Sequence, residues 1–197
     1  MNMVSQYIVE LFREVVREVS NVQAINDKIK ALYPYSTGQI TYMYGHPSEL
    51  VLNLNSMLGD TCCGVIKYPA ILLFQDFEER LKNRIYTADL HFIIVNSTIP
   101  TLKAHERYDK NFKPLLYPIY EQFIKVVKRR NATYDIDIRK IDRLYWGQKG
   151  LVYYDEAGTK NVFNDYLDAI EVFINFKITE KKCAEFIPPE VDCNAQI

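Results

Sequence analysis

Two groups of carboxylates stand close enough along the chain to share a metal ion. Asp76, Glu78 and Glu79 follow an apolar run, and Asp135 and Asp137 lie two residues apart in YDIDIRKI. That second spacing places both acids on one face of a strand. Converging carboxylate oxygens of this kind can hold Mg²⁺ for phosphodiester hydrolysis, so a metal-dependent nuclease using Asp135 and Asp137 is one reading. Arg139 falls at the next position of the same alternation and would pair with both acids. A solvated, ion-paired strand face is therefore the better reading. Of the three histidines, His46, His91 and His105, His91 has no nearby serine or cysteine at a recognised catalytic spacing. His46 precedes Pro47 and suits a turn or cap, and His91 lies in strand-like sequence where a structural role is favoured. No GxSxG, Walker loop, GxGxxG or HExxH occurs, and no cofactor is expected.

Two further sets complete the chemistry. Cys62, Cys63, Cys183 and Cys193 lack CxxC spacing, a poor framework for zinc or disulfides, so reduced thiols in a product made in the cytoplasm are expected. Lys125, Lys128, Arg129 and Arg130 close a helical stretch. Cations there complement the negative helix end, and the same patch could face nucleic acid.

These residues sit in a chain of 197 residues, 48% hydrophobic and 25% charged, which is one domain's length of ordinary globular material. With 24 Lys and Arg against 25 Asp and Glu, the formal charge is −1, which argues against a protein that coats nucleic acid through a basic surface. Fifteen Tyr and ten Phe beside seven Gly suit packed surfaces that must also meet water. No apolar run approaches the roughly 18 residues of a membrane span.

The elements follow from periodicity. Val4, Tyr7, Ile8, Leu11, Phe12, Val15, Val16 and Val19 form a helical stripe. A second helical stretch ends by about Tyr33, before Pro34. Gln39–Tyr44 reads as a strand and Pro47–Met57 as a short helix with proline and an acid in its first turn. Pro69–Gln75 is an apolar run that suits a strand buried on both faces. Ala88–Val95 alternates Leu90, Phe92 and Ile94 against Asp89, His91 and Ile93, and Asp168–Ile178 alternates Ile170, Val172, Ile174, Phe176 and Ile178 against Glu171, Asn175 and Lys177. Between the first two strands, residues 76–82 read as a charged connection. A helix over Leu116–Lys128, starting as early as Leu102, must place Pro114 and Pro118 at its start or kink there. The pattern implies an α+β fold: a largely antiparallel β-sheet with one wet face and two main helices packed on the other, followed by an extended C-terminal arm at 181–197.

The order of these segments, with KYPAILLFQDFEE, ADLHFIIV, HERYDKNFKPLLYPIYEQF, DRLYWG and FNDYLDAIEVFINF, resembles the tail terminator (tail completion) proteins of tailed bacteriophages. The closest likeness is to structural proteins of phages from Bacteroidetes-type bacteria. The resemblance spans about residues 1–180, with an insertion at about 45–68. It implies a virion structural protein, not an enzyme, that forms a homo-oligomeric ring of six- or twelvefold symmetry in the neck or tail. Such a ring joins portal or connector proteins to the tail, is made in the host cytoplasm, makes no membrane contact and leaves a lumen for DNA. The candidate subunit contacts are Asp76, Phe77, Glu78, Glu79, Arg80 and Arg84 of the charged connection, Trp146, and Pro188 and Pro189 of the arm. Lys125, Lys128, Arg129 and Arg130 are the candidate lumen residues. The competing classes are the metal-dependent nuclease and a monomeric regulatory binding domain.

Overall fold

A computed structural model describes residues 3–57, 67–75, 79–82, 85–130, 137–149, 152–155, 158–161 and 165–179. Helix α1 (Met3–Ser20) lays its apolar stripe on the sheet, burying Ile8, Phe12, Val15 and Val19 completely. Helix α2 (Gln23–Leu32) follows and buries Ile25 and Ile29. The turn after it is fixed by close packing at Gly38, whose φ is +79°. A Cβ there would stand 2.3 Å from the Asn26 amide nitrogen, the same nitrogen that donates to the Gly38 carbonyl at 3.0 Å, so only glycine fits.

The sheet runs β1 (Thr41–Gly45), β2 (Ala70–Phe74), β4 (Ile85–Ser97), β8 (Tyr166–Thr179), β5 (Asp137–Lys149), with β3 (Glu79–Lys82) also paired to β4. Every pairing is antiparallel except β1 with β2. Parallel neighbours need a crossover, and α3 (Pro47–Ser56) supplies it on the opposite sheet face from α1. Its Leu50, Val51 and Leu54 pack on Ala70, Leu72, Phe74, Ile93, Val95, Leu167 and Ala169. The expected wet face is thus apolar and covered at one end. The described half of the 45–68 segment contributes to this core. β2 is buried at all five positions, as its unbroken apolar run requires.

The main core lies on the other face. Phe12 meets Phe92 and Phe123 edge-on at 5.3 and 5.1 Å, and Phe92 and Phe123 complete the trio at 5.0 Å. Phe123 belongs to α5 (Tyr117–Arg130), which continues a helical run made of α4 (Ala104–Arg107) and a π-helical segment (Tyr108–Leu116). The two prolines explain the π segment. Pro114 and Pro118 each lack an N–H and would crowd the carbonyl four residues back in an α-helix. The wider turn relieves this, and the Tyr117 N–H bonds to the Phe112 carbonyl five residues back.

Two expectations change in detail. Residues 79–82 of the charged connection form a strand, so Glu79 and Arg80 belong to the sheet. The strict period of two read for this strand is interrupted in its backbone register: Asp137 opposes Asn175 and Ile138 opposes Ile174, but Lys140 opposes Phe173, leaving Arg139 as an extra residue. β6 (Val152–Asp155) and β7 (Gly158–Asn161) form a separate two-stranded hairpin. The C-terminal arm, Asp135 and all four cysteines lie outside the described residues.

Candidate functional site

The described candidate residues separate into three places, the end of α5, β3 and β5. Arg129 and Arg130 end α5 beside α1, where Arg129 donates to Glu18 and Arg130 donates to Glu14 and Glu18. Lys125 and Lys128 are exposed on the same helix. The basic patch therefore keeps two lysines for solvent while both arginines are held by carboxylates of a neighbouring helix. These are partly exposed pairs and contribute little to stability.

Arg80, exposed on β3, lies where β3, β4 and β8 run side by side. Among the residues whose burial is described, Ala88 and Phe176 are the last fully buried core positions here and Tyr86 packs partly buried against the main core, while β4 begins at Ile85 and β8 reaches Thr179. Ile85, Tyr86 and Thr87 are half-exposed there, and Ile85 belongs to neither core cluster. Trp146, expected in a glycine-punctuated stretch, sits in β5 with its backbone opposite Leu167. Asp76, Phe77, Glu78, Arg84, Pro188 and Pro189 fall outside the described residues.

His46 caps α3, its Nδ1 accepting the Ser48 N–H at 3.3 Å, and His91 joins a structural set on the second sheet face. The His91 ring stacks on Phe173 at 4.2 Å, tilts against Phe74 at 4.4 Å and places Nε2 2.7 Å from a Glu171 oxygen. Nearby, the Asn175 amide donates to Asp89 at 2.8 Å. These contacts give His91, Glu171, Asn175 and Asp89 structural partners on that face. Among the described residues no set of three His, Cys, Asp or Glu side chains converges as a metal site.

Sequence reasoning missed the most heavily built polar site. Asp168 and Asn96 stand opposite each other at the end of β8 and β4, on the core face. Both are buried, as are Arg107 and Asn111, which the helical run presents four residues apart on one side. Arg107 Nη1 donates to Asp168 Oδ1 at 2.8 Å and Asn111 Nδ2 donates to Asp168 Oδ2 at 2.6 Å. Other guanidinium hydrogens reach the carbonyls of Leu102, Ile99 and Pro100 and the Thr98 hydroxyl oxygen, tying the 98–102 loop to the sheet. Asn96 Nδ2 donates to Asn111 Oδ1 at 3.2 Å, and the Tyr33 hydroxyl donates to Asn96 Oδ1 at 2.8 Å. A buried carboxylate is thus matched by a charge and an amide, as burial demands.

Above this network opens a pocket of about 460 Å³. Its floor is Tyr33, Asn96, Ser97 and Asn111; Leu32, Ile99, Leu102 and Pro114 make apolar walls; Lys28, Lys110 and Asp109 stand at the rim. Leu32 and Ile99 are 42% and 57% exposed, unusual for large aliphatic side chains beside a concavity. The volume is that of a site for a small molecule or a short peptide anchor.

On the second face, Lys67 and Tyr68 both reach Asp165, with the Tyr68 hydroxyl donating at 2.9 Å. Burial pushes the Tyr68 pKa up, and the adjacent Asp165 carboxylate adds to the shift. Burial likewise raises Tyr42, whose hydroxyl donates to the Val9 carbonyl at 3.1 Å. Among the described residues no helix is long and apolar enough to cross a membrane. Comparison with protein-family models finds no match, and a search of curated proteins finds no relative.

Proposed function

We propose that the chain is a structural subunit of a tailed-phage virion, assembling head to tail into a ring of the neck or tail. The reading starts from the segment order that resembles tail terminators. The observation that carries it further is the end of the sheet where β3, β4 and β8 pair and Ile85 is half-exposed. Ile85 lies there outside both core clusters, beside Arg80 and Lys82. A surface with an aliphatic centre and a cationic rim suits burial against another protomer. Heterologous contacts of this type close into rings when the rotation between subunits closes.

In that ring, Lys125 and Lys128 are the proposed lumen cations, since Arg129 and Arg130 are engaged by Glu14 and Glu18. Two lysines per subunit give a weak, repeated attraction to phosphate, which suits passage of DNA better than retention.

The test is light scattering over a concentration series, with imaging of large species, for the natural chain and for Ile85→Asp. Closed rings from the former and their loss in the latter, with the far-UV spectrum unchanged, are expected. Rings that persist in Ile85→Asp would remove this end of the sheet from the contact. A nuclease is the reading favoured instead if purified protein cleaves DNA with Mg²⁺ and Asp137→Ala abolishes the cleavage.

A further inference from the structure

The pocket over Tyr33 and Asn111 lacks an occupant chemistry until the charged and apolar parts are taken together. Its lining brings the apolar Leu32, Ile99, Leu102 and Pro114 together with two cations, Lys28 and Lys110, and one anion, Asp109. One segment of this chain carries the complement. In residues 181–197, the apolar run Phe186-Ile187-Pro188-Pro189 is bracketed directly by Glu185 and Glu190. Two consecutive prolines hold extended backbone in advance, which lowers the ordering cost of docking.

Geometry decides which copy of the segment can arrive. The pocket lies at the Asn96 and Ser97 end of β4, and these residues oppose Asp168 and Leu167 at the start of β8. The chain leaves β8 at the other end, where Thr179 opposes Ile85. From Asp168 to Thr179 a strand advances about 36 Å, at about 3.3 Å per residue. From Thr179 to Phe186, even a fully extended chain spans at most about 25 Å. Phe186 therefore falls about 10 Å short of its own pocket, before any path around the surface is counted.

We infer that this pocket receives the Phe186–Pro189 segment of another copy of the chain, with Glu185 and Glu190 meeting Lys28 and Lys110. The inference rests on the ring reading in taking the donor to be a second protomer, and it specifies one contact of that ring. Phe186 or Ile187 would enter between Leu32 and Ile99, and the acids would remain at the partly wet rim. Each copy then donates one arm and accepts one, a heterologous contact that propagates in a single direction.

The experiment uses two full-length variants, Phe186→Asp, which spoils the arm, and Ile99→Asp, which spoils the pocket at an exposed position. Each alone should lose assembly by light scattering while keeping its far-UV spectrum. Mixed one to one, they should recover dimers only, because the mixture contains one intact arm and one intact pocket per pair. Normal assembly of either variant would overturn the inference and leave the ring reading standing. A mixture that stays monomeric would also overturn it.

If the natural chain is itself monomeric, a labelled peptide of residues 181–197 titrated into full-length Phe186→Asp decides the matter. Saturable binding that weakens at least tenfold when Lys110→Glu is added, and is regained by a Glu185→Lys or Glu190→Lys peptide, supports the inference while the ring reading fails. No binding assigns the pocket to a different occupant and overturns it.

Discussion

Replacing Asp168 by Asn is the sharpest perturbation of the folded chain. The side chain keeps its shape, but the carboxylate that faces Arg107 at 2.8 Å and Asn111 at 2.6 Å loses its charge. Both neighbours present N–H donors, so the new amide nitrogen must point a donor at one of them. Arg107 is 1% exposed and Asp168 is fully buried, so the lost charge is not replaced by bulk solvent at the guanidinium. Removing one member of a buried pair costs about 3–5 kcal/mol. For a domain of this size each kcal/mol moves the midpoint by about 2–4 °C, giving a drop in Tm of about 6–20 °C. The assay is urea unfolding followed by circular dichroism, with Glu10→Gln as control. That control breaks the exposed Arg13–Glu10 pair and should cost under about 1 kcal/mol. Arg107→Met combined with Asp168→Asn should cost less than the sum of the two, because each alone strands the other. An Asp168→Asn cost no larger than the control would refute the reasoning that a paired, desolvated charge anchors this end of the sheet.

Three further outcomes follow from the same geometry. Phe12→Ala, at the centre of the aromatic trio, should cost about 3–5 kcal/mol in the same unfolding assay, with the cavity adding to the lost transfer energy. Tyr68 and Tyr42 hold their protons in the folded state to higher pH than the unfolded value near 10, so the folded chain binds more protons and stability falls as pH rises past 10. Each contributes a slope of about 1.4 kcal/mol per pH unit there, and Tyr68→Phe should remove its share in unfolding curves between pH 9 and 11.5. Under the proposed ring reading, DNA binding measured by fluorescence anisotropy against salt should show a logarithmic slope of about −1.8 per subunit for two lysines, whereas four free cations would give about −3.6.

The elements that were legible in the sequence are those whose environment is uniform along their length. The α1 stripe, the wholly buried β2 and the alternation of β8 each announce a face, and Pro47 with Glu49 announces α3. The pairing of β1 with β2 was not legible, because strand direction depends on a crossover whose helix reads the same on either sheet face. Arg80 and Glu79 read as a connection because β3 is four residues long and mostly charged. The bulge at Arg139 is invisible to a strict period of two. Arg107 and Asn111 look like an ordinary solvated helix within HERYDKN. One signal was present: Asp168 has the same parity as Ile170, Val172, Ile174 and Phe176, so it had to face the core, and an inward carboxylate requires a buried cation. The pocket, built from α2, the end of β4 and the π segment, exists only once the helices are placed.

Virion membership with ring stoichiometry is the central claim, and counting copies in purified particles tests it most directly. Under the proposed ring reading, quantitative mass spectrometry of tailed-phage particles purified from cells that express this chain should find it at six or twelve copies for each portal ring. Absence of the chain from particles that carry their full set of head and tail proteins would contradict the account.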